Sequence, residues 1–125
     1  MGEYNRRIAD INYAESFVPD VDFDTRIQNA RDRIVAAQEQ INYLMLQGYE
    51  ENSNAMRRLY QDIFGYEQDL YDLTAKRHEE NINNLEHELY LYQQNNPDDS
   101  DYGRVVNYYR QIQNGLHDLA NERRA

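Results

Sequence analysis

The chain contains no cysteine and no tryptophan, and only two of its 125 residues are proline. Without cysteine it cannot form a disulfide or bind a metal through thiolates. It also lacks a run of about 18 apolar residues and the apolar core of a signal peptide, so the sequence predicts neither a membrane span nor a secretory leader. These absences do not assign the protein to a compartment.

Residues that build apolar cores are scarce. Leu, Ile, Val and Phe together make up about a fifth of the chain, close to the level at which disorder is expected. Twelve tyrosines offset this shortage, because each can bury its ring while the hydroxyl stays in water. The composition therefore favours narrow helical interfaces over a globular core.

Positive charge is scarce as well, with 13 Lys and Arg against 23 Asp and Glu and a formal net charge of -10. Binding to nucleic acid depends on an overall or local excess of basic side chains. The three arginine pairs lie far apart and among acidic residues. The sequence therefore predicts no nucleic-acid partner.

The chain is organised around one proline-free segment, Asn54–Gln94, whose only glycine is Gly65. Apolar residues recur at every third or fourth position, which predicts a single helix of roughly 60 Å. A helix of that length does not fit inside a compact globule of this size. The sequence therefore predicts an elongated rod.

Residues 1–23 are predicted to be an N-terminal leader, either a short amphipathic helix that docks on the remainder or a frayed end. A break at Pro19 ends its possible helix, and Asp22 or Asp24 can cap the next helix. The helical spacing within the leader is carried by Tyr4, Ile8 and Ile11.

The next helix is predicted over residues 24–46, with apolar residues alternately three and four positions apart, as in a coiled coil. A polar turn is predicted over residues 47–53, with Gly48 as a C-terminal cap and Ser53 as the next N-cap. Because the turn is short, the two helices are expected to pack antiparallel. The packing residues are Ile27, Ala30, Ile34, Ala37, Ile41 and Leu44.

The long helix, predicted over residues 54–94, carries two apolar stripes about 100° apart around its axis. Each stripe is expected to pack against a different helix. The first stripe consists of Met56, Leu59, Ile63, Tyr66, Leu70 and Leu73. The second stripe consists of Phe64, Tyr71, Ala75, His78, Ile82, Leu85, Leu89 and Tyr92.

A break over residues 95–101 contains Pro97, and a further helix is predicted over residues 102–122, with Asp99, Ser100 or Asp101 as its N-terminal cap. The predicted fold is all-α: two shorter helices pack antiparallel on successive halves of the long one and form one domain, residues 24–125. The packing residues of the last helix are Tyr102, Val105, Tyr109, Ile112, Leu116 and Leu119.

Known catalytic and metal-binding patterns are incomplete here. The spacing Asp20, Asp22, Asp24 resembles the start of an EF-hand calcium loop, but Thr25 and Arg31 stand where that loop needs glycine and glutamate. No Glu-x-x-His motif precedes a histidine, no glycine-flanked nucleophile occurs, and there is no glycine-rich phosphate loop. The sequence predicts no enzyme, metal, cofactor or small-molecule substrate.

The tyrosines on the predicted helices are too numerous for the helix contacts alone. Some are therefore expected to form an interface with another copy of the chain or with another protein. These tyrosines are Tyr43, Tyr60, Tyr66, Tyr71, Tyr90, Tyr92, Tyr108 and Tyr109.

The sequence from about Met56 onward resembles the helical, Tyr-, Asn- and Gln-rich segments of bacteriophage tail tape-measure proteins. The resemblance lies in LYQDIFGYEQDLYDL, NINNLEHELYLYQQNNPDDSDYG and VVNYYRQIQNGLHDLANERRA. It implies an extended, virion-associated or cytoplasmic structural protein that sets tail length and contacts other copies and tube subunits. Such proteins are usually several times longer and often carry apolar segments, so the resemblance implies a fragment.

A small intracellular helical adaptor or regulatory binding module is the alternative. The exported helical-hairpin family with a Trp-x-Gly turn does not fit, because this chain has no tryptophan and its turn reads Gln47-Gly48-Tyr49.

Overall fold

The computed structural model describes residues 2–95 and 102–124, together with the side chains of most of them. The described part of the chain is all-α, as predicted, and consists of four helices. They are α1 (Gly2–Glu15), α2 (Phe23–Leu46), α3 (Asn54–Asn95) and α4 (Tyr102–Arg124). None of the described helices is long and apolar enough to cross a membrane.

The chain divides into two compact units, Met1–Leu73 and Thr74–Ala125, called here the N-terminal and C-terminal units. Helix α3 contributes its first 20 residues to the N-terminal unit and its remaining residues to the C-terminal unit. Each unit contains an antiparallel hairpin formed with one shorter helix, which confirms the predicted arrangement of two hairpins sharing a long helix.

In the N-terminal unit, α2 packs antiparallel on α3. Leu44 near the end of α2 packs in one cluster with Met56 near the start of α3. Ile27 near the start of α2 packs in another cluster with Leu73. This pairing of opposite ends is a consequence of the short turn between the helices.

That turn is formed as its residues predict. Gly48 adopts a φ of +91°, the left-handed conformation that favours glycine after a helix. The backbone N–H of Tyr49 donates to the Leu44 carbonyl at 3.0 Å, and the Met56 N–H donates to the Ser53 hydroxyl at 3.3 Å. Both helix ends are therefore capped.

The start of α2 is capped by Asp22, one of the two predicted residues. Its carboxylate accepts hydrogen bonds from the Thr25 N–H at 3.1 Å and from the Thr25 hydroxyl at 2.7 Å. These bonds lower the pKa of Asp22, because they favour the ionised carboxylate. The predicted capping residues before α4, Asp99, Ser100 and Asp101, lie outside the described residues.

In the C-terminal unit, the second half of α3 packs on α4. Ile82, Leu89 and Ile112 are buried together, and the Tyr92 and Tyr108 rings lie 6.1 Å apart between centroids. Since Gly115 lies against Ile82 while Tyr108 lies against Tyr92, the two helices run in opposite directions.

Two helical glycines differ in their surroundings and give a matched test of the second hairpin. A Cβ built on Gly115 would lie 2.9 Å from Cγ1 of Ile82, whereas one built on Gly65 meets nothing within 4 Å. Alanine is favoured over glycine inside a helix by about 1 kcal/mol. We therefore expect Gly65→Ala to raise the stability of the protein by about that amount.

Gly115→Ala is expected to lack this gain, because the stiff β-branched side chain of Ile82 has to move. Chemical denaturation followed by circular dichroism measures both variants against the wild type. Equal stabilisation by the two substitutions would contradict the close approach of α4 to α3 at Gly115.

Candidate protein-binding surfaces

Within the N-terminal unit, helix α1 packs against the α2–α3 hairpin, which decides between the two expectations for the leader. Tyr4 is buried in one apolar cluster with Ala36, Ala37, Met56 and Leu59. Small alanine side chains let the helices come close at this point. The N-terminal unit is therefore a hairpin with a third helix on one side.

The polar end of this contact is a hydrogen-bond cluster between α1 and α3. The Tyr4 hydroxyl donates to the Asp62 carboxylate at 2.9 Å and lies 3.1 Å from the Tyr66 hydroxyl, which leaves Tyr66 as the donor of that second bond. Burial, together with the bonds to Tyr66 and Asp62, raises the pKa of Tyr4 well above its ordinary 10.0. The buried phenol is thus held in its protonated form.

Ion pairs fix α1 along α2. Arg7 pairs with Glu39, and the buried Arg33 pairs with Glu15. Arg33 also donates from Nε to the Asn12 side chain at 3.0 Å. Because the start of α1 lies by Glu39 and its end lies by Arg33, α1 runs antiparallel to α2.

The buried Tyr4 hydroxyl predicts that the stability of the folded protein depends on pH. The folded chain holds the Tyr4 proton more tightly than the unfolded chain does, so this contact contributes stability that is full below pH 10.0 and is lost as the pH rises above it. We expect the Tm of the wild type to fall more steeply above pH 10.0 than that of Tyr4→Phe. At neutral pH, Tyr4→Phe should cost about 1 kcal/mol.

Tyr13→Phe is the control for this prediction, since Tyr13 lies on the same helix but is exposed. It should keep the pH dependence of the wild type. Identical pH profiles for the two variants would contradict the assignment to Tyr4.

A groove of about 310 Å³ lies between α1 and α2. It is lined by Glu3, Tyr4, Arg7, Ala36, Glu39, Gln40 and Tyr43. The basic group in this lining, Arg7, is already paired with Glu39. The groove is thus a surface that α1 and α2 form together.

The segment that resembles a calcium loop caps the start of α2. Asp22 caps the helix, and the Asp20 carbonyl accepts a hydrogen bond from Arg26 at 2.8 Å. Across residues 2–95 and 102–124, no group of three or more His, Asp or Glu side chains is arranged to hold a metal ion. His78 is half-buried on α3, and His87 and His117 are exposed.

Most of the predicted packing residues are buried or half-buried within their own units. In the N-terminal unit these are Ile27, Ile34, Ile41, Leu44, Leu59, Ile63, Tyr66, Leu70, Tyr71 and Leu73. In the C-terminal unit they are His78, Ile82, Leu85, Leu89, Tyr92, Val105 and Ile112. The side chain of Leu119 lies outside the described residues.

Two predicted packing residues of α4 do not lie in the hairpin contact. Tyr109 is 53% exposed and Leu116 is 44% exposed. The contact is made instead by Val105, Tyr108 and Ile112, with Gly115 against Ile82. The prediction of the hairpin contact was wrong at these two positions, because a helical period of 3.6 residues permits either alternation through Val105 and Ile112.

Each unit exposes apolar side chains away from its helix contacts. In the N-terminal unit, Tyr60 is 45% exposed and Phe64 is 65% exposed on α3. In the C-terminal unit, Val106, Tyr109 and Leu116 are exposed on α4. Their spacing of three and seven residues places the last three on one face of the helix.

Of these residues, only Val106 and its exposure on α4 were not predicted from the sequence, because Tyr60 was among the tyrosines expected at an interface and Phe64 was expected to pack against a helix. Phe64 belongs to the second stripe, and the structure leaves it uncovered in the N-terminal unit. Its position outside the first packing stripe was the one sign in the sequence that its ring could lie on a different face of α3. Periodicity alone does not say whether a second stripe is covered.

Comparison with models of protein families, with curated proteins and with solved structures finds no match to this chain.

Proposed function

We propose that this protein is a non-enzymatic structural or assembly protein, and that it acts by packing exposed helix faces against other copies of itself or against other proteins. The supporting observation is that apolar side chains remain exposed at helical spacing on α3 and on α4. Exposed apolar side chains that share one helix face can form the apolar patches that mark protein-binding sites. Tyrosine is common in such sites because its ring can be buried while its hydroxyl keeps a polar partner.

The resemblance of the last 70 or so residues supports a more specific form of the proposal, a helical segment of a phage tail tape measure. In that role, repeated copies would pack side by side through helix faces. In an adaptor, the same helix faces would bind a different protein instead of another copy.

Sedimentation velocity over a wide concentration range tests the proposal. The monomer has a mass of 15.0 kDa. We expect a mass that increases with concentration, since helix faces that pack against each other associate by mass action. A single species of monomer mass at every concentration would contradict self-association.

A further inference from the structure

Five residues of α3 in the N-terminal unit form a second, largely exposed stripe, called here the outer stripe. It consists of Arg57, Tyr60, Phe64, Glu67 and Tyr71. Their spacings of three and four residues place them within about 80° of the helix circumference. All are exposed except Tyr71, which is half-buried.

The outer stripe lies away from both helices that pack on this part of α3. Its centre is about 110° around the axis from the stripe that faces α2. Helix α1 contacts α3 through Asp62 and Tyr66, which lie on the other side of the stripe that faces α2. One side of the α2–α3 hairpin is thus covered by α1, and the opposite side carries the exposed rings of Tyr60 and Phe64.

From Arg57 to Glu67, the order of side chains along the outer stripe is complementary to itself when it is reversed. An arginine stands at one end, a glutamate stands ten residues later, and two aromatic rings lie between them. If a second α3 lies antiparallel, with a two-fold axis at the level of residue 62, Tyr60 of each copy meets Phe64 of the other. The same axis places Arg57 of each copy beside Glu67 of the other.

The charges select this arrangement over a parallel one. In a parallel pair, Arg57 would face Arg57 and Glu67 would face Glu67, and both contacts would be repulsive. In the antiparallel pair, two ion pairs flank a centre of four aromatic rings. This is the order of an apolar centre with a charged rim that protein interfaces commonly have.

We propose that the outer stripe is a homodimer contact, in which the α3 helices of two copies pack antiparallel about a two-fold axis at the level of residue 62. The inference rests on the proposed function, because it assumes that the protein self-associates. It adds the face, the direction and the pairs of side chains that meet. A second copy is the occupant because the stripe carries opposite charges ten residues apart, so an antiparallel copy presents Arg57 to Glu67 and Glu67 to Arg57.

Charge reversal tests these pairs. Arg57→Glu and Glu67→Arg should each raise the dissociation constant of the dimer at least about tenfold, since the two-fold axis makes every substitution count twice. The double variant Arg57→Glu/Glu67→Arg should return the dissociation constant to within about threefold of the wild type. Sedimentation at low ionic strength measures all three, and circular dichroism checks that the helices are retained.

Arg58→Glu is the matched control, because Arg58 is an exposed neighbour with the same charge on a different face of α3. It should leave the dissociation constant within about twofold of the wild type. An equal weakening by Arg58→Glu and Arg57→Glu would show an effect of net charge and would overturn the proposed contact.

Cross-linking tests the relative direction of the two α3 helices. Because the chain contains no cysteine, only the introduced thiols can form disulfides. In an oxidised mixture of Tyr60→Cys and Phe64→Cys proteins, the mixed disulfide should form faster than either disulfide between identical variants. Faster formation of the disulfides between identical variants would indicate parallel helices and overturn the proposal.

The outcomes separate this inference from the proposed function. Association of the wild type that is unaffected by Arg57→Glu and by Phe64→Ser would overturn the outer stripe as the contact, while self-association would stand. A wild type that stays monomeric at all concentrations would overturn this inference together with self-association, while packing against a different protein, the other form of the proposed function, would stand.

Discussion

Replacing Leu59 by aspartate is expected to unfold the N-terminal unit. Leu59 lies on α3, and its side chain is fully buried in the cluster that also contains Tyr4, Ala36 and Met56. A carboxylate at this position would lose its hydration without gaining a partner, which should cost about 4 kcal/mol or more. Because a folded protein of this size is stable by only about 5–15 kcal/mol in total, a loss of this size takes away most of the stability of the N-terminal unit.

Hydrogen exchange resolved along the sequence measures this effect. Protection should be lost in α1, α2 and the first part of α3. Leu46→Asp is the matched control, because Leu46 is 85% exposed at the end of α2, and it should change stability by less than about 0.5 kcal/mol. Retained protection of α1 in Leu59→Asp would contradict the role of this cluster in holding α1.

Leu89→Asp should have the second largest effect, this time in the C-terminal unit. Leu89 is buried with Ile82 and Ile112 in the contact between α3 and α4. A carboxylate at this position would be buried in the helix contact without a partner, which should be enough to separate the two helices. Protection should disappear from α4 and from the second half of α3.

The same experiment tests whether each unit is held together by its own contacts. Because Leu89 belongs to the C-terminal cluster and not to those that join α1, α2 and the first part of α3, α1 and α2 should keep most of their protection. Leu91→Asp is the control, since Leu91 lies two residues away and is exposed. Simultaneous loss of all helicity in Leu89→Asp would contradict two independent hairpins.

These two predictions also bear on the proposed function. Leu89→Asp should leave the proposed dimer contact intact, because the outer stripe lies entirely within the N-terminal unit. Leu59→Asp should abolish it together with the unit that presents it. Measuring the dissociation constant of both variants therefore locates the self-association in one unit.

Much of the fold was predictable because the buried side of a long helix places apolar residues at regular three- and four-residue spacing in the sequence. The proline-free run of α3 and the polar turn with Gly48 and Ser53 result from propensity, capping and spacing. The change from the first to the second stripe on α3 likewise predicted two contacts in succession, and buried Leu59 and Leu89 are on opposite sides of that change. Such features depend on neighbours in sequence, which a single chain shows directly.

The sequence by itself thus determined helices α2, α3 and α4, their order and the antiparallel pairing across the short turn. Only the tertiary structure decided whether α1 docks, because its contact depends on Tyr4 reaching Asp62 and Tyr66 from about sixty residues away in sequence. It also decided that Tyr108, and not Tyr109, faces α3, since the two residues differ by only 100° around the axis and the close approach at Gly115 selects between them. Periodicity shows which faces of a helix are apolar, and only packing shows which of them is covered.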